Sequence, residues 1–248
     1  MTAKTLSKEG YVISSARYQE QDALVTLLTE EGKCAIRLRG GEELKSKNRT
    51  AGLIFNLVQV DVSEDLSTKY LTANGTKTLA NHTSLYEDLG KSLTGQFACE
   101  LLLKYFQDQD EMPYKYFGPL LSGLEEGFDP LTLALIFAAQ VIKCLGYAPD
   151  TSACVDCGKK TDLVAFSLEE GGFLCQECAR ELNVRPDPTD YLKVMRYVFM
   201  VRPEQMTHAV LPKGASGRAL NELCLYLQEQ LGLEVKSLTL LKEALKIV

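Results

Sequence analysis

Four cysteines carry the strongest chemical signal in this 248-residue chain: Cys154, Cys157, Cys175 and Cys178, in the stretch "CVDCGKKTDLVAFSLEEGGFLCQEC". The spacing C-x2-C-x17-C-x2-C is that of a structural zinc site, in which each Cys-x-x-Cys pair grips the metal from one knuckle. Gly158 directly after the first pair relieves its turn, and "LVAFSL" and "FL", joined through Gly171-Gly172, can fold as a hairpin that brings the knuckles together. Four thiolates close a tetrahedron and leave no position for water or substrate, so such a zinc holds shape and does not catalyse. The competing reading, a redox-active Cys-x-x-Cys, needs a βαβ neighbourhood that this sequence lacks. Cys34, Cys99, Cys144 and Cys224 lie within apolar runs and read as core packing.

A second constellation is "GKCAIRLRGGEELKSKNR", residues 32–49. On a strand, Lys33, Ala35, Arg37 and Arg39 share one face and Cys34, Ile36 and Leu38 the other, since side chains alternate with a period of two. Gly40-Gly41 then releases a loop carrying Lys45, Lys47 and Arg49, interrupted by Glu42 and Glu43. A basic strand running into a basic loop can track a phosphate backbone without reading sequence, whereas the bland alternative is a solvated charged strand. Tyr11, Tyr18 and Tyr70 could offer stacking surfaces, with strand packing the ordinary reading.

The net charge of −6 argues by itself against a nucleic-acid partner, but the charge is unevenly spread. Residues 1–80 carry 11 Lys/Arg against 10 Asp/Glu, and residues 81–248 carry 16 against 23. Screening over roughly 8 Å at physiological salt lets a local basic face act apart from a distant acidic one. Enzyme signatures fail. Gly90-Lys91-Ser92 resembles the end of a phosphate-binding loop, but Leu85 stands where its first glycine belongs. His82 and His208 are the only histidines, and the carboxylates of "EDLS" and "LEEG" read as solvated turns and helix faces. With no apolar signal core at the start and no window near 18 continuous apolar residues, the expected compartment is the cytoplasm, where eight cysteines are read for metal rather than disulfides. The three Asn-x-Thr sequons are then chance matches.

The elements that must position these groups change period near residue 80. Before it, "YVISSARY", "ALVTLLTEE", "CAIRLR", "LIFNLVQVDVS" and "TKYLTANGTKTL" read as five strands, with "EEGK" a tight turn and Asn74-Gly75 a type I′ hairpin turn. Five short strands favour a small closed barrel such as the OB-fold. After it come "GQFACELLLKYFQ", a shorter helix bounded by Pro119 and glycines, a buried central helix in "DPLTLALIFAAQVIKCLGYAP", and, beyond the cysteines, three amphipathic helices. The expected fold is therefore α+β and multidomain: an OB-fold barrel over 1–80, an all-α domain over 81–248, and a four-cysteine zinc module inserted at 150–182.

With these parts in order, the chain resembles the bacterial RecO family of recombination-repair mediators. The likeness rests on "GYVISSARYQEQDALVTLLTEEGK", "RLRGGEELKSKNRTAG", "FACELLLKYF" and "LGYAPDTSACVDCGKKTDLVAFSLEEGGFLCQECA", and covers nearly the whole sequence. The resemblance implies a non-enzymatic, nucleoid-associated protein that binds single- and double-stranded DNA, anneals complementary strands and, with RecR, loads RecA onto DNA coated by single-strand binding protein. It places DNA contacts on Lys33, Arg37, Arg39, Lys45, Lys47 and Arg49, and one structural zinc on Cys154, Cys157, Cys175 and Cys178. The rivals are an OB-fold and zinc module acting on RNA or in transcription without annealing, and a nucleotidyl transferase or ligase, which would need a Lys-x-Asp-Gly nucleophile motif that does not occur.

Overall fold

The structure, a computed structural model, describes residues 6–43, 45–64, 70–106, 112–232 and 234–247. Strands β1 (Leu6–Tyr18), β2 (Asp22–Thr29) and β3 (Gly32–Leu38) form a meander. The short helix α1 (Lys47–Ala51) then leads to β4 (Leu57–Glu64) and β5 (Leu71–Ala80). The strands close into a barrel in the order β1-β2-β3-β5-β4, and a parallel pairing of β3 with β5 at Ile36–Leu71 and Arg37–Thr72 completes the ring. Alternation fills it: Val25, Leu27, Ile36, Leu38, Val58, Val60 and Val62 point inward, and Ala51 of α1 plugs the same core.

The expected "EEGK" turn joins β2 to β3. Thr29 holds it, its hydroxyl donating to the Gly32 carbonyl and accepting from the Glu31 N–H. The expected hairpin turn at Asn74-Gly75 is absent, because the ladder with β4 runs through it. Asp61 pairs with Gly75 and Val62 with Ala73, leaving Asn74 as an extra, bulged residue, and neither Asn74 nor Gly75 has the positive φ that a type I′ turn demands.

A single turn of 3-10 helix, Thr83–Glu87, leads from the barrel into α2 (Leu89–Tyr105), α3 (Met112–Glu126) and α4 (Pro130–Cys144). Asp129 starts α4, its carboxylate accepting from the N–H and hydroxyl of Thr132 behind Pro130 at the first helical position. Every residue from Leu131 to Ile142 is buried, so α4 is the axis of the helical body, as its all-round apolar sequence predicts. Pro119 lies inside α3 rather than at its edge, so the helix continues without the N–H that a proline lacks. A three-stranded sheet follows, made of β6 (Asp150–Cys154), β7 (Leu163–Ser167) and β8 (Gly172–Cys175) in the order β6-β8-β7. The expected hairpin is β7-β8; β6, parallel to β8, is an addition that the short polar "DTSAC" did not signal. Helices α5 (Gln176–Glu181), α6 (Thr189–Met200), α7 (Lys213–Leu231) and α8 (Ser237–Leu245) complete the chain.

Barrel and helices share one core. Ile13, Leu28 and Phe55 of the barrel belong to the apolar cluster of α2, α3 and α4. Two glycines allow the contact: a Cβ on Gly95 of α2 would lie 2.7 Å from the Phe55 ring, and one on Gly118 of α3 would lie 2.5 Å from the Tyr11 hydroxyl. Tyr11 completes this seam with ring contacts to Tyr114 and Phe117, both at 5.5 Å between centroids. We predict that Gly95→Ala, by overpacking, costs about 1–3 kcal/mol of stability. It should lower the urea midpoint without changing the slope of the transition.

At the far end of α2, burial opposes ionisation of Glu100, but Lys104 and the backbone N–H groups of Ser237 and Lys236 outweigh it and hold the carboxyl down at about 2. That carboxylate caps the start of α8. Because the folded value lies below the ordinary 4.5, the stabilisation is complete above 4.5 and is lost as pH falls towards about 2. Glu100→Gln should therefore flatten the acid limb of stability against pH in that window, followed by hydrogen exchange in α8.

Candidate metal centre and nucleic-acid interface

Cys154 ends β6, Cys157 follows in the turn, Cys175 ends β8 and Cys178 lies in α5, so two strand ends, a turn and a helix deliver the thiols. All four sulfurs lie within 4.8 Å of one another, and Cys157 Sγ is 3.7 Å from Cys175 Sγ. A tetrahedron with metal–sulfur bonds of about 2.3 Å has edges of about 3.8 Å. The group therefore fits one metal ion, and 3.7 Å is far too long for a disulfide, whose sulfurs sit at about 2.05 Å. No disulfide joins any of the eight cysteines.

The local backbone builds the knuckles. Gly158 adopts φ +75° and donates its N–H to the Cys154 carbonyl. Gly172 is required by close approach: a Cβ there would lie 2.2 Å from the Asp150 carbonyl oxygen, closing the β6–β8 contact. Burial pushes the Cys154 thiol up, but N–H groups of Cys157, Cys175 and Asp156 prevail and bring it down to about 6. Cys178 is pushed the other way, chiefly by the Asp156 carboxylate and then by burial. The thiols are thus unequal: one ionises readily, and a bound cation would supply the field that deprotonates the rest.

The module is clasped to the helices through Asp187. Its Oδ2 accepts from the Phe166 N–H at 2.9 Å and its own N–H donates to the Val164 carbonyl at 2.8 Å, both on β7. Its Oδ1 accepts from Arg218 of α7 at 2.6 Å. Arg218 also donates to Glu222 and lies 4.0 Å from the centroid of the Tyr191 ring. Metal loading should therefore be felt beyond the module. We predict about one tetrahedral metal ion per chain by elemental analysis. Cys175→Ser should lose it, together with the exchange protection of β7 and β8; a fully folded, metal-free wild type would contradict this assignment.

The structure divides the six cations of the basic stretch into two groups. Lys33 turns to the end of α2, donating to the carbonyls of Leu103 at 3.2 Å and Leu102 at 3.4 Å. Arg37 is paired with Asp22 at 2.6 Å, donates to Gln19 and lies 5.6 Å from the Tyr18 ring centroid. Burial raises the Asp22 carboxyl, but the Gly40 N–H, Arg37 and Arg39 together hold it below the usual carboxylate range. Both Lys33 and Arg37 are committed to holding the fold.

Arg39, Lys45, Lys47 and Arg49 are exposed and form no ion pair among the described residues. The loop bearing them is ordered by Asn48, whose amide donates to the Arg39 carbonyl at 2.7 Å and accepts from Thr76 of β5 at 2.8 Å. Ser46 caps α1 beneath it by accepting from the Asn48 N–H. Lys77, exposed on β5, is a further cation of the barrel that the sequence reading passed over, because one lysine in a strand carries no local signal. Of the tyrosines, Tyr11 is spent on the interdomain seam, while Tyr18 and Tyr70 pack edge to face at 6.0 Å. Gly90-Lys91-Ser92 forms the first turn of α2 under the Asp88 cap. No helix among the described residues is long and apolar enough to cross a membrane.

A closed five-stranded barrel of OB type, fused to a helical body that carries a four-cysteine module able to hold a metal ion, defines the architectural class of this protein. Residues 1–78 match the family described as "Recombination protein O N terminal" and residues 86–239 that described as "Recombination protein O C terminal". The chain belongs to the RecO family of DNA repair and recombination proteins. It is 28% identical to a DNA repair protein RecO of Listeria monocytogenes serotype 4b over 95% of this chain and 93% of that one. It is 27% identical to that of Exiguobacterium sibiricum over 96% and 97%. The S. pombe Stn1-ten1 complex aligns with 34% of this chain and 63% of its own at 15% identity, but a TM-score of 0.25 bears on neither fold nor function.

Proposed function

We propose that this protein is a non-enzymatic mediator that binds single- and double-stranded DNA on its barrel and anneals complementary strands in the cytoplasm, at the nucleoid. The observation that supports this best is the loop bearing Arg39, Lys45, Lys47 and Arg49, four exposed cations that form no ion pair among the described residues. Each can neutralise a phosphate and release its counter-ions, which lowers the repulsion between two strands; the pairing energy then comes from the bases. Lys33 and Arg37 serve by placing the strand and its loop, so the DNA contact set is narrower than the run of six. The helical body, residues 81–248, is the surface for protein partners: RecR, single-strand binding protein and, through them, RecA. The ion at Cys154, Cys157, Cys175 and Cys178 is zinc, because four soft thiolates in a closed tetrahedron suit an ion with no redox role, and it maintains the insert at 150–182.

The test is annealing and DNA binding titrated with salt. Replacing Arg39, Lys47 and Arg49 with alanine should reduce the slope of log affinity against log salt by about 2 units on single strands, at roughly 0.7 per contact. Annealing should slow in parallel, with metal content unchanged. Arg37→Ala should instead destabilise the fold, since it strands the Asp22 carboxylate. An unaltered slope and annealing rate in the triple variant would sink the assignment of this loop, and a preference for RNA without annealing would favour the RNA-binding rival.

A further inference from the structure

Where the metal module meets α6, a cavity of about 280 Å³ opens, lined by Lys160, Asp162, Phe173, Thr189, Lys193 and Arg196 among others. Lys160 comes from the segment between Cys157 and β7, while Lys193 and Arg196 lie three residues apart on α6, one turn along the same face. All three cations are exposed, and none forms an ion pair or hydrogen bond among the described residues. The carboxylate in the lining, Asp162, is already paired with Lys159 at 3.0 Å.

This concentration runs against its surroundings. Residues 81–248 hold 23 acidic against 16 basic side chains, so counter-ions are plentiful. Other cations of the same body use them: Lys104 with Glu100, and Arg218 with Asp187 and Glu222. Three like charges converging from two elements repel one another, and that arrangement is relieved by an external anion. Arg196 is also pre-set, its guanidinium carbon 4.9 Å from the Phe173 ring centroid. A guanidinium so placed keeps its N–H edge free to donate, at little entropic cost when a ligand arrives.

We infer that this cavity is a second phosphate-binding subsite for a nucleic-acid strand, formed jointly by the metal module and α6 and distinct from the barrel loop. It rests on the DNA-binding reading above. Exposed lysine heads beside one oriented guanidinium suit a sugar–phosphate chain lying across the surface, and the half-buried Leu163 and Leu192 supply an apolar floor for sugar faces. Because one wall belongs to the module, folding around the metal would complete the subsite. The tetrathiol centre thereby gains an indirect part in DNA binding without touching the ligand.

The experiment measures binding of a fluorescent 40-nucleotide oligothymidylate to the full-length, metal-loaded protein by anisotropy across a salt series. Lys160→Ala/Lys193→Ala should lower the magnitude of the salt slope by about 1.4 units, the value for two single-strand contacts. Both side chains are exposed and unpaired, so folding and metal content should match wild type. Arg196→Ala is a second variant, expected to remove a further 0.7 or so. If the barrel-loop triple variant flattens the slope and the cavity variants do not, the subsite is overturned while the loop assignment stands. If neither does, the DNA-binding reading falls with it. Loss of binding to an oligo-glutamate peptide in the cavity variants, with DNA binding intact, would overturn the proposal in favour of an acidic protein segment.

Discussion

The approach of the Phe55 ring to the backbone of Gly95 is the contact on which the arrangement of this molecule depends. A small barrel buries little apolar area alone, and this one extends its core outward through Ile13, Leu28 and Phe55 into the helical body. Phe55 carries φ +78°, a conformation that costs a bulky residue about 1–3 kcal/mol. Its N–H bonds to the Val12 carbonyl at 2.8 Å and its ring stacks on Tyr86 at 5.5 Å, so the strain is held by both domains. Beside it, Asn56 is fully buried; its amide donates to Thr50 and accepts from the His82 N–H, linking α1, β4 and the exit from the barrel. The basic loop is therefore fixed relative to the helices through a few short paths.

The same logic governs the cations. A charged side chain can position the fold or face a ligand, and its internal partners decide which. Lys33 gives its ammonium to the last carbonyls of α2, where the helix end carries partial negative charge. Arg37 is engaged by the half-buried Asp22 carboxylate and lies beside the Tyr18 ring. Arg39, Lys45, Lys47 and Arg49 form no ion pair among the described residues, and the hydrogen bonds that order their loop come from a neutral residue, Asn48.

Much of this was legible in the sequence. The four cysteines declared their site through spacing alone, the period change near residue 80 separated strands from helices, and Asp129-Pro130 marked the start of the buried axis. What the sequence misjudged was long-range. Asn74-Gly75 has turn chemistry, but the ladder from Asp61 to Glu64 overrides it. "DTSAC" has no strand pattern and becomes β6 only because Gly172 lets β8 come within hydrogen-bonding reach. Alternation placed Lys33 and Arg37 correctly on one face of β3, yet could not say that α2 and Asp22 would already occupy them.

The sharing of walls between modules follows from size. A sheet of three short strands with a six-residue helix cannot sustain a core alone, and its own apolar cluster is small: Cys154, Ala165, Leu174, Cys175, Cys178 and Ala179. Half of these residues are thiols of the four-cysteine group. An ion bound at these thiols would supply cohesion that side chains elsewhere supply by packing. The Asp187–Arg218–Glu222 clasp ties the module to α6 and α7, with Tyr191 buried beneath the guanidinium. An ion at the four cysteines would act through geometry: it would fix where β7, β8 and the loop bearing Lys160 stand against α6, and so which charges face one another across the cavity between them.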